Sequence, residues 1–212
     1  VLECDPLETW KGAFGEQYIQ RSQVTPEVIR QVTAAFLRIL ESAKIRDKLS
    51  SVLEVGANIG INLLGLREVL GPAALLAVVE PNPQACAQLR KDQRLNLSAV
   101  LETDASRIPL PDDSYDLVFT SGVLIHIPPD RLPQAMKEIV RVARHYVLCL
   151  EYFSHQPVEI PYRGQAGLLW KRDFGQAYLA HCPGLRILQY GFLWQEELPY
   201  FDNLNWWMFQ KA

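Results

Sequence analysis

The chain has no cysteines paired as CxxC, no basic excess and no apolar run long enough to cross a bilayer. Each absence excludes something. Four cysteines, Cys4, Cys86, Cys149 and Cys182, without a CxxC pair argue against a zinc ribbon, and no metal is expected. Cys149 lies in the apolar run YVLCL and reads as a small buried hydrophobe, so reduced thiols and a cytoplasmic protein are expected. With 21 Lys and Arg against 24 Asp and Glu, the net charge of −3 argues against a general nucleic-acid binder. Any anion site must therefore be local, built from a few placed cations. No basic-apolar leader opens the sequence, so neither a signal peptide nor a membrane partner is expected. Internal repeats and low-complexity linkers are also missing.

What is present suits one domain of 212 residues with a real core: 49% of residues are hydrophobic and 21% charged, ordinary for a globular chain. Short apolar runs at 51–55, 75–80, 98–103, 115–121 and 145–151 alternate with helix-like stretches at 60–70, 83–94 and 130–144. Alternation of this kind predicts an α/β fold with a parallel sheet and helices on both faces. Two later strand candidates, 185–194 and 204–210, flank a polar loop that permits antiparallel pairing. Residues 26–43 read as an amphipathic helix, with Thr25 suited to its cap and Pro26 to its first turn.

The run VLEVGANIGINL at 52–63 is a strand, a glycine turn and a helix. Glycines let backbone N–H groups approach a ligand, and a helix start carries partial positive charge. The spacing Gly56-x-Asn58-x-Gly60 fails the GxGxxG of dinucleotide enzymes. It fits the Gly-x-Gly-x-Gly turn of S-adenosylmethionine-binding methyltransferases, with Glu54 as the preceding acid, Ala57 within the turn and Asn58 for the middle glycine. Asn tolerates left-handed backbone angles. Glu80, ending the second strand run before Pro81 and Asn82, is placed to accept ribose hydroxyls. Asp104, with Ala105 and Ser106, is placed to hold an adenine amino group. Ser121, Gly122 and Val123 form a turn after the fourth run that would face the sulfonium. Any one marker is also what a plain turn or helix cap looks like; four at successive strand ends point to one ligand.

Those residues, with the segments WKGAFGEQYIQR, SGVLIHIPPDRL, EYFSHQPVEIPYRG and KRDF, make the chain resemble the class I S-adenosylmethionine-dependent methyltransferases. More narrowly it resembles the methylases associated with pseudaminic acid biosynthesis, nearly end to end. The resemblance implies a Rossmann-like seven-stranded mixed sheet whose last strand is antiparallel, S-adenosyl-L-methionine as cofactor and S-adenosyl-L-homocysteine as product. Small-molecule phosphonate O-methyltransferases share the plan. The sequence departs from the narrower pattern at Gln23, in RSQ, and at LPYFDNLNWW, where an acidic pair is more usual. Both departures bear on the acceptor pocket.

Residues 1–48 are expected to form an N-terminal helical flap, and 152–182 an acceptor-side lid inserted after the fifth strand. In the flap, Trp10, Phe14, Tyr18 and Arg21 recur at helical spacing. Phe14 suits packing; Trp10 would close over the cofactor, and the Arg21 fork would pair with its carboxylate. The lid carries Tyr152, His155, Tyr162, Arg163, Lys171 and Arg172, which would bind an anionic acceptor such as a sugar acid, carboxylate or phosphonate. Arg172 beside Asp173 also reads as a surface pair. A hydroxyl acceptor would need a base, for which His126 comes first and Tyr18 second; an ionised acceptor would need only orienting cations. Against this O-methyltransferase reading stand a nucleotide-dependent oxidoreductase or epimerase and a non-catalytic cofactor-binding partner protein.

Overall fold

The computed structural model describes residues 5–212; Cys4 lies outside the described residues. Two helices open it, α1 (Pro6–Lys11) and α2 (Ala13–Arg21), followed by α3 (Pro26–Ser42). As expected, Thr25 caps α3, its Oγ1 accepting from Val28 N at 3.2 Å, with Pro26 at the first turn. Then β1 (Ser51–Val55), β2 (Leu75–Val79), β3 (Leu97–Leu101), β4 (Tyr115–Ser121) and β5 (Ala143–Glu151) alternate with α4 (Ile61–Leu70), α5 (Pro83–Lys91) and α6 (Leu132–Val142). A two-residue pair follows, β6 (Val158–Glu159) with β7 (Trp170–Lys171), then α7 (Phe174–His181), β8 (Leu185–Leu193) and β9 (Leu204–Lys211).

Seven strands form one sheet in the order β3-β2-β1-β4-β5-β9-β8. Strands β1 to β5 pair in parallel, while β9 runs antiparallel to both β5 and β8. The fold is therefore the expected Rossmann-like mixed sheet with a reversed last strand. Crossover helices enforce the parallel pairs; the short connection 194–203 allows the antiparallel one. Alternate residues of β4 feed two cores. Leu117 and Phe119 face α3 and α4 with Phe36, whose ring lies 5.3 Å from that of Phe119. Val118 faces the other side with Met136, Ile139 and Phe174. Burial on both faces is why these strands read as unbroken apolar runs.

Several boundaries differ from expectation, three of them with a clear cause. The helix expected over 83–94 stops at Lys91, because Asp92 turns extended. The helix expected over 130–144 stops at Val142, and the sheet resumes at Ala143. The range expected as a lid ends in α7, whose Phe174 and Tyr178 are buried in the core. Asp173 caps α7, accepting from Gln176 N at 2.8 Å, and makes no surface pair with Arg172. In the N-terminal range, α3 is likewise a core helix; α1 and α2 alone lie over the strand ends.

Candidate active site

Strand β1 ends in a turn where Gly56, Asn58 and Gly60 have φ of 79°, 48° and 80°. Asn58 thus takes the left-handed conformation that the Gly-x-Gly-x-Gly pattern gives to glycine. A Cβ on Gly56 would stand 2.5 Å from Val123 Cγ2, so the turns after β1 and β4 touch only because glycine is there. Asn58 N donates to Glu80 Oε2 at 2.7 Å, and Asn82 N to Glu80 Oε1 at 2.9 Å. Glu80 therefore ties the turn after β1 to the turn after β2. Burial raises its pKa, opposed by those two N–H groups. The Asn82 side chain caps α5 through Gln84 N at 2.9 Å, and its Nδ2 donates to Trp10 O at 2.9 Å, fastening the N-terminal helices to this edge.

After β3, Asp104 Oδ1 accepts from Ser106 N at 2.7 Å and from Ser106 Oγ. The turn after β4 is held by a residue the sequence reading did not single out. Glu151, the last residue of β5, accepts from Val123 N at 3.1 Å, Leu124 N at 2.9 Å and Ile125 N at 3.4 Å. It is fully buried, and burial pushes its pKa up to about 7 against the pull of those N–H groups. An acid closing an apolar strand run was the available signal.

These strand ends open on a cavity of about 690 Å³. The structure brings four triplets to its wall: Gly56, Ala57 and Asn58; Glu80, Pro81 and Asn82; Asp104, Ala105 and Ser106; Ser121, Gly122 and Val123. Glu54 and Gly60 are not on the wall. Glu54 is buried in β1, its Oε1 accepting from Asn62 Nδ2 at 2.7 Å, and burial pushes its pKa up to about 8. A Cβ on Gly60 would meet Leu89 and Leu95 at 2.9 Å, so this glycine lets α4 start close against its neighbours. Trp10 Nε1 and Asn62 Oδ1, both in wall residues, are buried polar atoms without a hydrogen-bond partner among the described residues.

The other end of the cavity is aromatic. Trp10, Tyr18 and Arg21 reach it from α1 and α2, and His126 from a 3₁₀ turn at Leu124–His126. The Trp10 ring lies 4.5 Å from that of His126 and 5.4 Å from Tyr18; Tyr162 lies 5.2 Å from His126. Arg21 stands 5.7 Å over the Tyr18 ring. His126 Nδ1 lies 2.6 Å from Leu168 O, and burial lowers the ring's pKa to about 4. Burial also raises the Tyr18 phenol, keeping it protonated.

The late cations separate. Tyr152, Tyr162 and Arg163 line the cavity; His155, Lys171 and Arg172 do not. His155 is exposed, Lys171 Nζ sits 4.5 Å over the Tyr152 ring, and Arg172 stacks 5.9 Å over Phe174. Tyr162 and Gln165 exchange N–H···O bonds of 2.8 and 3.0 Å across Arg163 and Gly164, whose φ values are 51° and 79°. Two positive φ values make this a tight turn of the primed type, with Arg163 at its tip. From the connection between β8 and β9 come Tyr200, Phe201 and Asp202, which also line the cavity. The sequence pointed to this segment as pocket-forming without naming those residues.

Residues 53–149 match the family model for a methyltransferase domain. Over 105 residues the chain is 26% identical to 2-methyl-6-phytyl-1,4-hydroquinone methyltransferase 2, chloroplastic, of Oryza sativa subsp. japonica, covering 50% of this chain and 29% of that protein. The chain thus spans under a third of that relative's length. The fold is similar to an S-adenosylmethionine-dependent methyltransferase of Leishmania major, with a TM-score of 0.72 at 18% identity over 100% of this chain and 87% of that one. It is also similar to magnesium protoporphyrin IX methyltransferase of Synechocystis PCC 6803, with a TM-score of 0.68 at 13% identity over 97% of each. Residues 53–149 thus match a methyltransferase domain, and the chain as a whole has the fold of class I S-adenosylmethionine-dependent methyltransferases, whose cofactor is S-adenosylmethionine and whose product is S-adenosylhomocysteine.

Proposed function

We propose that the protein is an S-adenosylmethionine-dependent methyltransferase that methylates oxygen on a small, polar, anionic metabolite. The observation that carries the cofactor half is the convergence of four strand ends on one cavity, with Glu80 bridging two of the turns. The residues fit the group. Each Glu80 oxygen takes one backbone N–H, which leaves lone pairs for the ribose hydroxyls. Asp104 Oδ2 is free of the Ser106 bonds and would take the adenine amine. Arg21 makes no ion pair among the described residues and would hold the carboxylate. Cavities of 300–1,000 Å³ are usual for cofactor-sized ligands.

When bound, the cofactor supplies a methyl group already activated on sulfur, so placement carries much of the barrier, about 7–11 kcal/mol in well-oriented systems. The chain's part is to orient the acceptor, exclude water and, for a hydroxyl, take its proton. Because a carbonyl only accepts, His126 Nδ1 carries the ring proton toward Leu168, and Nε2 keeps a lone pair. Neutral His126 is the base in this reading, and the protonated Tyr18 phenol orients. Arg163 supports the anionic acceptor. The segments around α1–α2 and the Arg163 turn act as flap and lid. The resemblance to pseudaminic-acid-associated methylases supports a sugar acid, and the shared plan with phosphonate enzymes a phosphonate. The formal charge of −3 supports a small acceptor over nucleic acid. No described helix is long and apolar enough to cross a membrane; Cys86, Cys149 and Cys182 are free and buried, which supports a reducing, cytoplasmic setting.

The test is calorimetric. S-adenosylhomocysteine should bind the wild type, and Glu80→Ala should weaken it about 10- to 100-fold, the equivalent of hydrogen bonds to a charged group. No heat with the wild type ends the reading.

A further inference from the structure

Within that same site, and resting on the methyltransferase reading, the acceptor end holds two opposite charges that do not neutralise each other. Arg163 and Asp202 line one cavity, and both act on the Tyr18 phenol, Asp202 raising its pKa and Arg163 lowering it. Yet they form no ion pair, their N and O atoms being more than 4.0 Å apart. The contact Arg163 makes is with its neighbour, 5.6 Å over the Tyr162 ring. Asp202 is held differently. Its Oδ2 accepts from the Tyr152 hydroxyl at 3.0 Å, and Tyr152 lies under Lys171 Nζ at 4.5 Å from the ring centre. Lys171 thus packs on the ring whose hydroxyl holds Asp202.

The turn that presents Arg163 adds a second observation. Its φ of 51° is one a long side chain adopts at a cost of about 1–2 kcal/mol, at a tip where Asn or Gly is preferred. Observed strain of this kind at a cavity rim points to function. Asp202 is the sole carboxylate on this wall away from the strand-end turns of Glu80 and Asp104, among the described residues.

We propose that the acceptor is a hydroxy acid: its anionic group pairs with Arg163, and a hydroxyl donates to Asp202, with Tyr152 and Lys171 as positioning residues. A simple anion would leave Asp202 facing like charge, and a neutral sugar would leave Arg163 unused.

The test is calorimetry in two stages. S-adenosylhomocysteine is titrated into wild type, Asp202→Asn, Arg163→Ala and Tyr152→Phe. D-glucuronate, glucose and acetate are then titrated into each protein saturated with it. Expected are S-adenosylhomocysteine affinities within twofold of one another, and glucuronate at least tenfold tighter than glucose or acetate on the wild type. That preference should fall about tenfold in Asp202→Asn and Arg163→Ala and several-fold in Tyr152→Phe. Glucose binding as well as glucuronate, none of the three binding, or a tenfold loss of S-adenosylhomocysteine in Asp202→Asn would each overturn the proposal. Failure of S-adenosylhomocysteine to bind the wild type is a distinct result, and it removes the methyltransferase reading itself.

Discussion

His126 Nδ1 stands 2.6 Å from the carbonyl oxygen of Leu168, so the lid fixes which ring nitrogen of this histidine is free to accept a proton. Burial holds the ring's pKa near 4, below the usual 6.5, so it is neutral at physiological pH. For a hydroxyl acceptor, His126→Ala should lower turnover about 10²–10⁴-fold, and the wild-type rate should fall on the acid side near pH 4 and not near 6.5. Steady-state rates from pH 4 to 9 check this. Turnover retained by the variant, with a shallow profile, would assign an acceptor already ionised.

Glu151 acts at a distance of one residue layer. Its carboxylate gathers three backbone N–H groups of the turn that carries Val123 and His126 to the cavity. Glu151→Gln replaces one accepting oxygen with a donor facing those N–H groups, at a cost of about 1–3 kcal/mol. Melting should register that loss. The expected kinetic signature is a lower kcat with the KM for the acceptor within about threefold, because the turn and not the acceptor site is loosened. A variant of wild-type kcat would leave Glu151 a purely structural residue.

Gly56→Ala meets two obstacles of separable origin. The φ of 79° costs an alanine about 1–2 kcal/mol, and its Cβ would lie 2.5 Å from Val123 Cγ2. Relief of the second but not the first is expected in Gly56→Ala with Val123→Ala. A double-mutant cycle in urea should therefore show coupling of about 1 kcal/mol or more. Additive losses would mean that the two turns do not bear on one another.

Strands β1, β2, β4 and β5 were legible because burial on both faces writes each as an apolar run, β3 at the sheet edge because it alternates with helices like the rest, and the four strand-end turns because glycine, Asn58 and the acids mark them. What was not legible depends on tertiary placement. Helix α7 hides behind the cations Lys171 and Arg172, since Phe174 and Tyr178 become core only once β5 and α6 lie beneath them. Lys171 and Arg172 look equivalent in sequence, yet the β6–β7 pairing sends them to Tyr152 and Phe174 respectively. Asp202 reaches the cavity only because β8 and β9 fold back across β5, fifty residues from its partner Tyr152. Glu151 needed the register of β5 beside β4 to become a clamp.

Two buried acids should give the protein an unusual dependence of stability on pH. Glu54 and Glu151 are both raised from 4.5, chiefly by burial, to about 8 and about 7. A group whose pKa is higher in the folded chain holds a proton there that the unfolded chain has released. Its contribution is complete below pH 4.5 and is lost as pH rises through the folded value. Both acids should therefore make the wild type lose stability as pH rises from 4.5 to 7, against the opposite pull of buried His126 below 6.5, and of these two acids only Glu54 still contributes between 7 and 8. The slope from one group is at most about 1.4 kcal/mol per pH unit. Urea midpoints at half-unit steps would separate them: Glu151→Gln should flatten the curve below pH 7, and Glu54→Gln should flatten it up to 8. A wild-type curve that rises from pH 5 to 8, with both variants parallel to it, would mean that these carboxyls ionise in the fold as they do in water.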